Sequence, residues 1–112
     1  MANCMSFDEV MAAIKTERQY QLMRWGYRQE DGSMEEAQHG VTDWLVYIQH
    51  YLNIAFEEAA TKPGNEPAME VLRKITAMGV AACEQNGVES RPVGMAVVNG
   101  RDLLVVSPGF NF

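Results

Sequence analysis

Apolar positions fall at helical spacing in three stretches of the chain and then condense into two short runs near its end. The first stretch opens at Ser6. Ser6 and Glu9 have the spacing of a capping box, in which each side chain satisfies an orphan backbone donor of the other. Phe7, Val10, Met11 and Ile14 follow as a stripe on one face. The same face then carries Glu17, Arg18 and Gln21 before Leu22 and Trp25 restore its apolar character. Polar groups on an inward face are informative, because their burial costs free energy unless they are paired. Gly26 is placed to stop the helix.

A polar segment covers 27–40 and reads as a loop over the surface, with Asp31-Gly32-Ser33 marking a turn and room for one helical turn over Met34 to Gln38. A second helix is expected from about Thr42, as cap, to Thr61, with Asp43 favouring its positive end. It has two apolar faces. Leu45, Ile48, Leu52, Ala55, Phe56 and Ala59 make one, expected to be the core face, and Trp44, Tyr47, Tyr51 and Ile54 make the other, expected at a subunit contact. Lys62-Pro63-Gly64-Asn65 breaks the chain, and a third helix starts with Asn65 as cap and Pro67 in its first turn. Val71, Leu72, Ile75, Met78, Ala82 and Cys83 are its expected core face, and Ala77, Gly79, Ala81 and Ala82 are small enough for another helix to approach closely. Gly87 ends it. Met95 to Val98, then Asn99-Gly100, then Leu103 to Val106 predict a β-hairpin, closed by Pro108 and Gly109. The expected architecture is mainly α: an antiparallel bundle of three main helices over 6–91, with a short C-terminal β-hairpin over 93–108, in one domain.

Composition narrows the function classes. The 112 residues are 47% hydrophobic and 21% charged, ordinary for a globular domain. A net charge of −6 disfavours a duplex nucleic-acid footprint, which needs clustered cations. No run approaches a membrane span, the start lacks a signal-peptide pattern, and the cytoplasm is the expected compartment. Cys4 and Cys83 have no ligand partners at zinc spacing, so Cys83 is expected as a small buried residue.

Glu17-Arg18-x-x-Gln21, Trp25-Gly26, a polar loop containing His39, and Trp44-Leu45 opening a helix resemble small MazG-like proteins of phages, prophages and mobile gene cassettes. The run Glu70 to Ile75, followed by Gly79 to Gly87, fits the third helix of that group. The resemblance covers roughly 6–91 and implies an all-α fold that assembles into dimers or tetramers. Active members are nucleoside triphosphate pyrophosphohydrolases that hold magnesium on acids from two adjacent helices, in an E-x-x-E plus E-x-x-D pattern. Hard oxygen ligands on facing helices suit magnesium, which then polarises phosphate and activates water. This chain departs from the pattern. Where the first acid pair belongs it reads Ile48-Gln49-His50-Tyr51-Leu52-Asn53-Ile54, and Arg73 stands three residues after Glu70. A cation beside the remaining acid repels magnesium, so no catalytic residue and no metal ligand is assigned.

Candidate ligand-binding residues are Glu17, Arg18, Gln21, His50, Asn53, Glu57, Glu70 and Arg73. His50, Asn53 and Glu57 share one helix face by the i, i+3, i+4 rule, but one imidazole, one amide and one carboxylate are a thin metal set. Glu17, Arg18 and Gln21 line either a ligand pocket or a polar network joining helices, with Glu70 and Arg73 as partners. Arg18, Arg24 and Arg73 are alternatively forks for a phosphate. Trp25, Trp44, Tyr47 and Tyr51 either stack a base or serve the core and a subunit interface. The expectation is a non-catalytic, homo-oligomeric binding module that takes a nucleotide or nucleotide-derived signal and needs no cofactor. One alternative is a magnesium-dependent pyrophosphohydrolase with a site rearranged around Glu17, His50, Glu57 and Glu70. A second is a protein-interaction module docking through Trp44, Tyr47, Tyr51 and the hairpin edge.

Overall fold

The computed structural model describes residues 4–91, 93–98 and 101–106. The chain is mainly helical. In order come α1 (Phe7–Trp25), β1 (Tyr27–Arg28), β2 (Met34–Glu35), α2 (Val41–Thr61), α3 (Glu66–Asn86), β3 (Val93–Val98) and β4 (Arg101–Val106). No helix among the described residues is long and apolar enough to cross a membrane.

The capping box forms as the sequence predicts. The Glu9 amide donates to Ser6 Oγ at 3.1 Å and the Ser6 amide donates to Glu9 Oε1 at 3.2 Å. These bonds, to the Ser6 backbone first and its side chain second, hold the Glu9 carboxyl below its ordinary pKa. Gly26 ends α1 for a steric reason, since a Cβ there would run into the Leu22 carbonyl oxygen and crowd that of Glu35.

The segment read as a loop carries two short strands, and no helical turn forms over 34–38. Gly32 takes a positive φ of 88°, Asp31 Oδ1 accepts from both the amide and the hydroxyl of Ser33, and the reversed chain lays β2 antiparallel to β1, with Tyr27 opposite Glu35. The cap of α2 is also displaced from Thr42. The helix begins at Val41 with Gly40 as N-cap, which places Thr42 within the first turn beside Asp43. Asn65 does occupy the N-cap of α3, but its side chain makes no capping bond.

α3 is the common partner of the other helices. α2 runs antiparallel to it across the Lys62–Asn65 break, and α1 packs on it separately, while no comparable contact joins α1 to α2. The α2–α3 core is Trp44, Met78 and Ala81, with Ile48, Tyr51 and Ala82 packed around it. The core side of α2 therefore draws on both apolar faces, with Trp44 and Tyr51 from one and Ile48 from the other. Trp44 is only 4% exposed within its own chain, whereas Leu45, Leu52 and Phe56 face outward. Large rings fit against the small Ala81 and Ala82 surface of α3, and the buried Trp44 indole has an acceptor there in Gln85. On α3 itself the fully buried positions are Ala77, Met78 and Ala81; Leu72 and Cys83 are exposed, against expectation.

The C-terminal hairpin is present as paired strands, with Val93 opposite Val106 and Val98 opposite Arg101. Its expected Asn99-Gly100 turn and its end at Pro108 and Gly109 lie outside the described residues. The hairpin makes no extensive contact with any helix among the described residues.

Candidate functional site

The polar stripe of α1 meets α3. Glu17, buried at 6% exposure, accepts from Arg73 Nε at 2.7 Å. Gln21, 1% exposed, donates through Nε2 to the Lys74 carbonyl at 3.1 Å, and its Oε1 is buried without a protein donor. The network foreseen for Glu17, Gln21 and Arg73 thus joins two helices. Glu70 is not part of it and stays exposed.

Arg18 turns the other way. Its Nη1 and Nη2 grip both oxygens of Glu36 at 3.1 and 2.7 Å, and its Nε donates to Glu84 at 2.9 Å. Burial pulls the guanidinium pKa down, but the bonds to Glu36 and Glu84 outweigh it, and the net shift is upward. Arg18 remains charged and its fork is occupied by carboxylates. The idea that it grips a phosphate is at odds with this geometry, because a phosphate would have to displace a bidentate, largely buried partner.

Glu36 belongs to a short strap, residues 36–39, stitched to the end of α3. Gln85 Nε2 donates to Glu36 Oε1 and to the Ala37 carbonyl, each at 3.2 Å. Gln85 Oε1 accepts from the His39 amide at 2.9 Å and from Trp44 Nε1 at 3.0 Å. Asn86 Nδ2 adds a bond to the His39 carbonyl at 3.1 Å. One amide side chain thereby fixes a loop, an indole and a helix relative to one another.

Under this strap lies a cavity of about 250 Å³. Trp25 comes from the end of α1, Glu36, Ala37 and His39 from the strap, Trp44, Tyr47 and Tyr51 from α2, and Met78 from α3. All four aromatic residues singled out from the sequence line it. The rings of His39, Trp44 and Tyr47 stand nearly perpendicular to one another, at 87°, 81° and 89°, with centroids 5.3 to 6.0 Å apart. Such edge-to-face packing fixes ring positions. Trp44 thus forms a wall of a cavity within its own chain. Tyr47 is partly open to solvent, and Tyr51 and Ile54 are half-buried. The sequence offered no signal for Glu36 or Gln85, whose importance comes entirely from non-local contacts.

The second candidate group sits elsewhere. His50, Asn53 and Glu57 are exposed on α2, with His50 edge-on to Tyr51 and Asn53 accepting from Gln49 at 3.0 Å. A groove of about 1000 Å³ near the α2–α3 break is lined in part by Tyr51, Ile54, Glu58, Lys62, Glu70 and Lys74. Lys62 Nζ lies 2.7 Å from Glu58 Oε2, a contact that holds the ammonium pKa above its ordinary value. Among the described residues no group of three His, Cys, Asp or Glu side chains is gathered as a metal-holding set. Comparison of the chain with protein-family models, with curated proteins and with solved structures finds no match.

Proposed function

We propose that the chain is a diverged MazG-like helical protein that works as a non-catalytic, oligomeric binding module, with the aromatic cavity as its ligand site. The observation that carries this reading is the convergence of Trp25, Trp44, Tyr47 and Tyr51 on one cavity held in shape by Gln85. A concave, mostly apolar site with a few fixed polar groups is what small-molecule recognition requires. The ligand is nucleotide-derived and enters by its ring, because the walls offer aromatic faces rather than phosphate donors. The absence of catalysis is supported by the state of the buried acids, since Glu17 and Glu36 are each committed to an arginine.

The oligomeric part is supported by the outer side of α2, where Val41, Leu45, Leu52 and Phe56 are exposed, Phe56 at 69%. Light scattering is expected to give a dimer or tetramer, and a monomer at micromolar concentration would contradict this part.

A thermal-shift screen of nucleosides and nucleotides, with and without Mg²⁺ or Mn²⁺, tests the site. A ligand at about 100 times its dissociation constant adds roughly 2.7 kcal/mol. For a domain of this size that is on the order of 10 °C. The expected shift needs no metal and is lost in Tyr47→Ala. A shift that requires metal and survives Tyr47→Ala would overturn the assignment.

A further inference from the structure

The charge around the aromatic cavity bears on its ligand. Glu36 supplies one wall, and its partner Arg18 is shared with Glu84. Asp43 Oδ2 lies 3.9 Å from His39 Nδ1 on another side. Two carboxylates therefore share one guanidinium, whose Nε, Nη1 and Nη2 all point at their oxygens, and Asp43 adds a third carboxylate beside His39. No lysine or arginine lines the cavity among the described residues. The chain as a whole carries −6. An anionic group entering here meets a negative field and no free donor fork.

The ring geometry favours the opposite sign. Three nearly perpendicular rings make the corner of a box, and the negative face of an aromatic ring attracts a cation within about 6 Å of its centroid. Met78, 1% exposed, adds an apolar lining beside these rings.

We infer that the cavity selects a small organic cation, a quaternary ammonium or a base made cationic by N-methylation, held by the ring faces of Trp44 and Tyr47 within a surplus of carboxylates. The inference rests on the proposal that this cavity is the ligand site and adds the sign of the ligand's charge. A methylated base keeps the ligand nucleotide-derived, whereas a free quaternary ammonium replaces that part of the proposal. Both ligand sources share the same chemistry, a charge spread over apolar methylated atoms that sheds water readily.

The test uses the full chain and follows tryptophan fluorescence. The cationic probes are choline and 7-methylguanosine. Their neutral counterparts are 3,3-dimethylbutanol and guanosine, and guanosine monophosphate adds a negative charge. At least one cation is expected to bind about tenfold more tightly than its neutral counterpart, as a desolvated cation–π contact allows. Which of the two does so tells a free ammonium from a methylated base. Added salt is expected to weaken the cation only. Tyr47→Leu keeps the apolar bulk but removes a ring face, so it is expected to erase most of the preference while sparing neutral binding. Equal affinity for cations and neutral counterparts in the wild type, with both lowered in Tyr47→Ala, would overturn the charge assignment and leave the site standing. Tighter binding of the monophosphate than of guanosine would also overturn it. Binding of a cation that ignores both Tyr47 substitutions, or no binding by either cation, would overturn the site and the charge together.

Discussion

α3 has two seams that are built differently. Against α2 it is apolar, with Trp44, Met78 and Ala81 in one buried cluster flanked by Ile48, Tyr51 and Ala82. Against α1 it is crossed by the Glu17–Arg73 ion pair and the Gln21–Lys74 hydrogen bond. Apolar burial yields roughly 25 cal/mol per Å², so the α2 seam is where most of the packing energy resides. A buried ion pair roughly offsets its own desolvation and is a weak source of stability, yet breaking one partner is costly. The α1 seam therefore acts chiefly on register. It fixes how far α1 slides along α3, and the position of Trp25 over the cavity depends on that.

The contrast can be broken most severely at Met78. Met78→Ala truncates the largest fully buried apolar side chain and is expected to cost about 2–5 kcal/mol, read as a lower urea midpoint. Arg73→Ala should come next, at about 1–3 kcal/mol, because it leaves the buried Glu17 carboxylate without its cation. Glu17→Gln is expected to cost less, since Arg73 is partly exposed and can turn to water. If Glu17→Gln proves the more damaging, the seam depends on the carboxylate for something other than the ion pair.

Ser6→Ala is expected to cost about 1 kcal/mol by removing the cap of α1. Acid reaches the same device. The Glu9 carboxyl sits below its ordinary pKa in the folded chain, as does Asp31 through its bonds to Ser33, first the hydroxyl and then the amide. A depressed carboxyl contributes stability that is present above its unfolded value and is lost as pH falls through the folded one. Ser6→Ala should therefore flatten the acid limb of the stability profile, which chemical denaturation at a series of pH values would measure. The smallest effect is expected at Gln21. Gln21→Met keeps the volume and removes the unpartnered Oε1, so stability should stay within about 1 kcal/mol of the parent. A shifted Trp25 emission in that variant would show register being lost without stability.

Much of the scaffold was legible because it is written locally. The Ser6–Glu9 box, the Lys62–Asn65 break, Gly87 after α3 and the two runs of the hairpin each depend on neighbours in sequence, and each is found where periodicity placed it. The two faces of α2 were not legible in the same way. Both are apolar at helical spacing, and what decides between them is the small surface at Ala81 and Ala82 together with the Gln85 acceptor for Trp44, neither of which is written on α2. The 34–38 segment failed for a related reason, since its strand pairing comes from a turn that reaches back to Tyr27. The aromatic set was named from the sequence. Its arrangement as a cavity needed the strap, which Glu36, Gln85 and Asn86 hold through contacts more than 40 residues apart in the chain.

The central claim is that a ligand enters the aromatic cavity and not the acidic positions that a catalytic MazG-like protein would use. Two-dimensional ¹H–¹⁵N NMR of the full chain tests this most directly, because the two tryptophans give two indole signals and the Trp44 signal reports the bond to Gln85. On titration with a ligand found by thermal shift, both indole signals and the Gln85 side-chain amide are expected to move together without added metal. Movement confined to the backbone around Glu57, Glu58 and Glu70, appearing only with Mg²⁺ and leaving both indoles in place, would contradict the account.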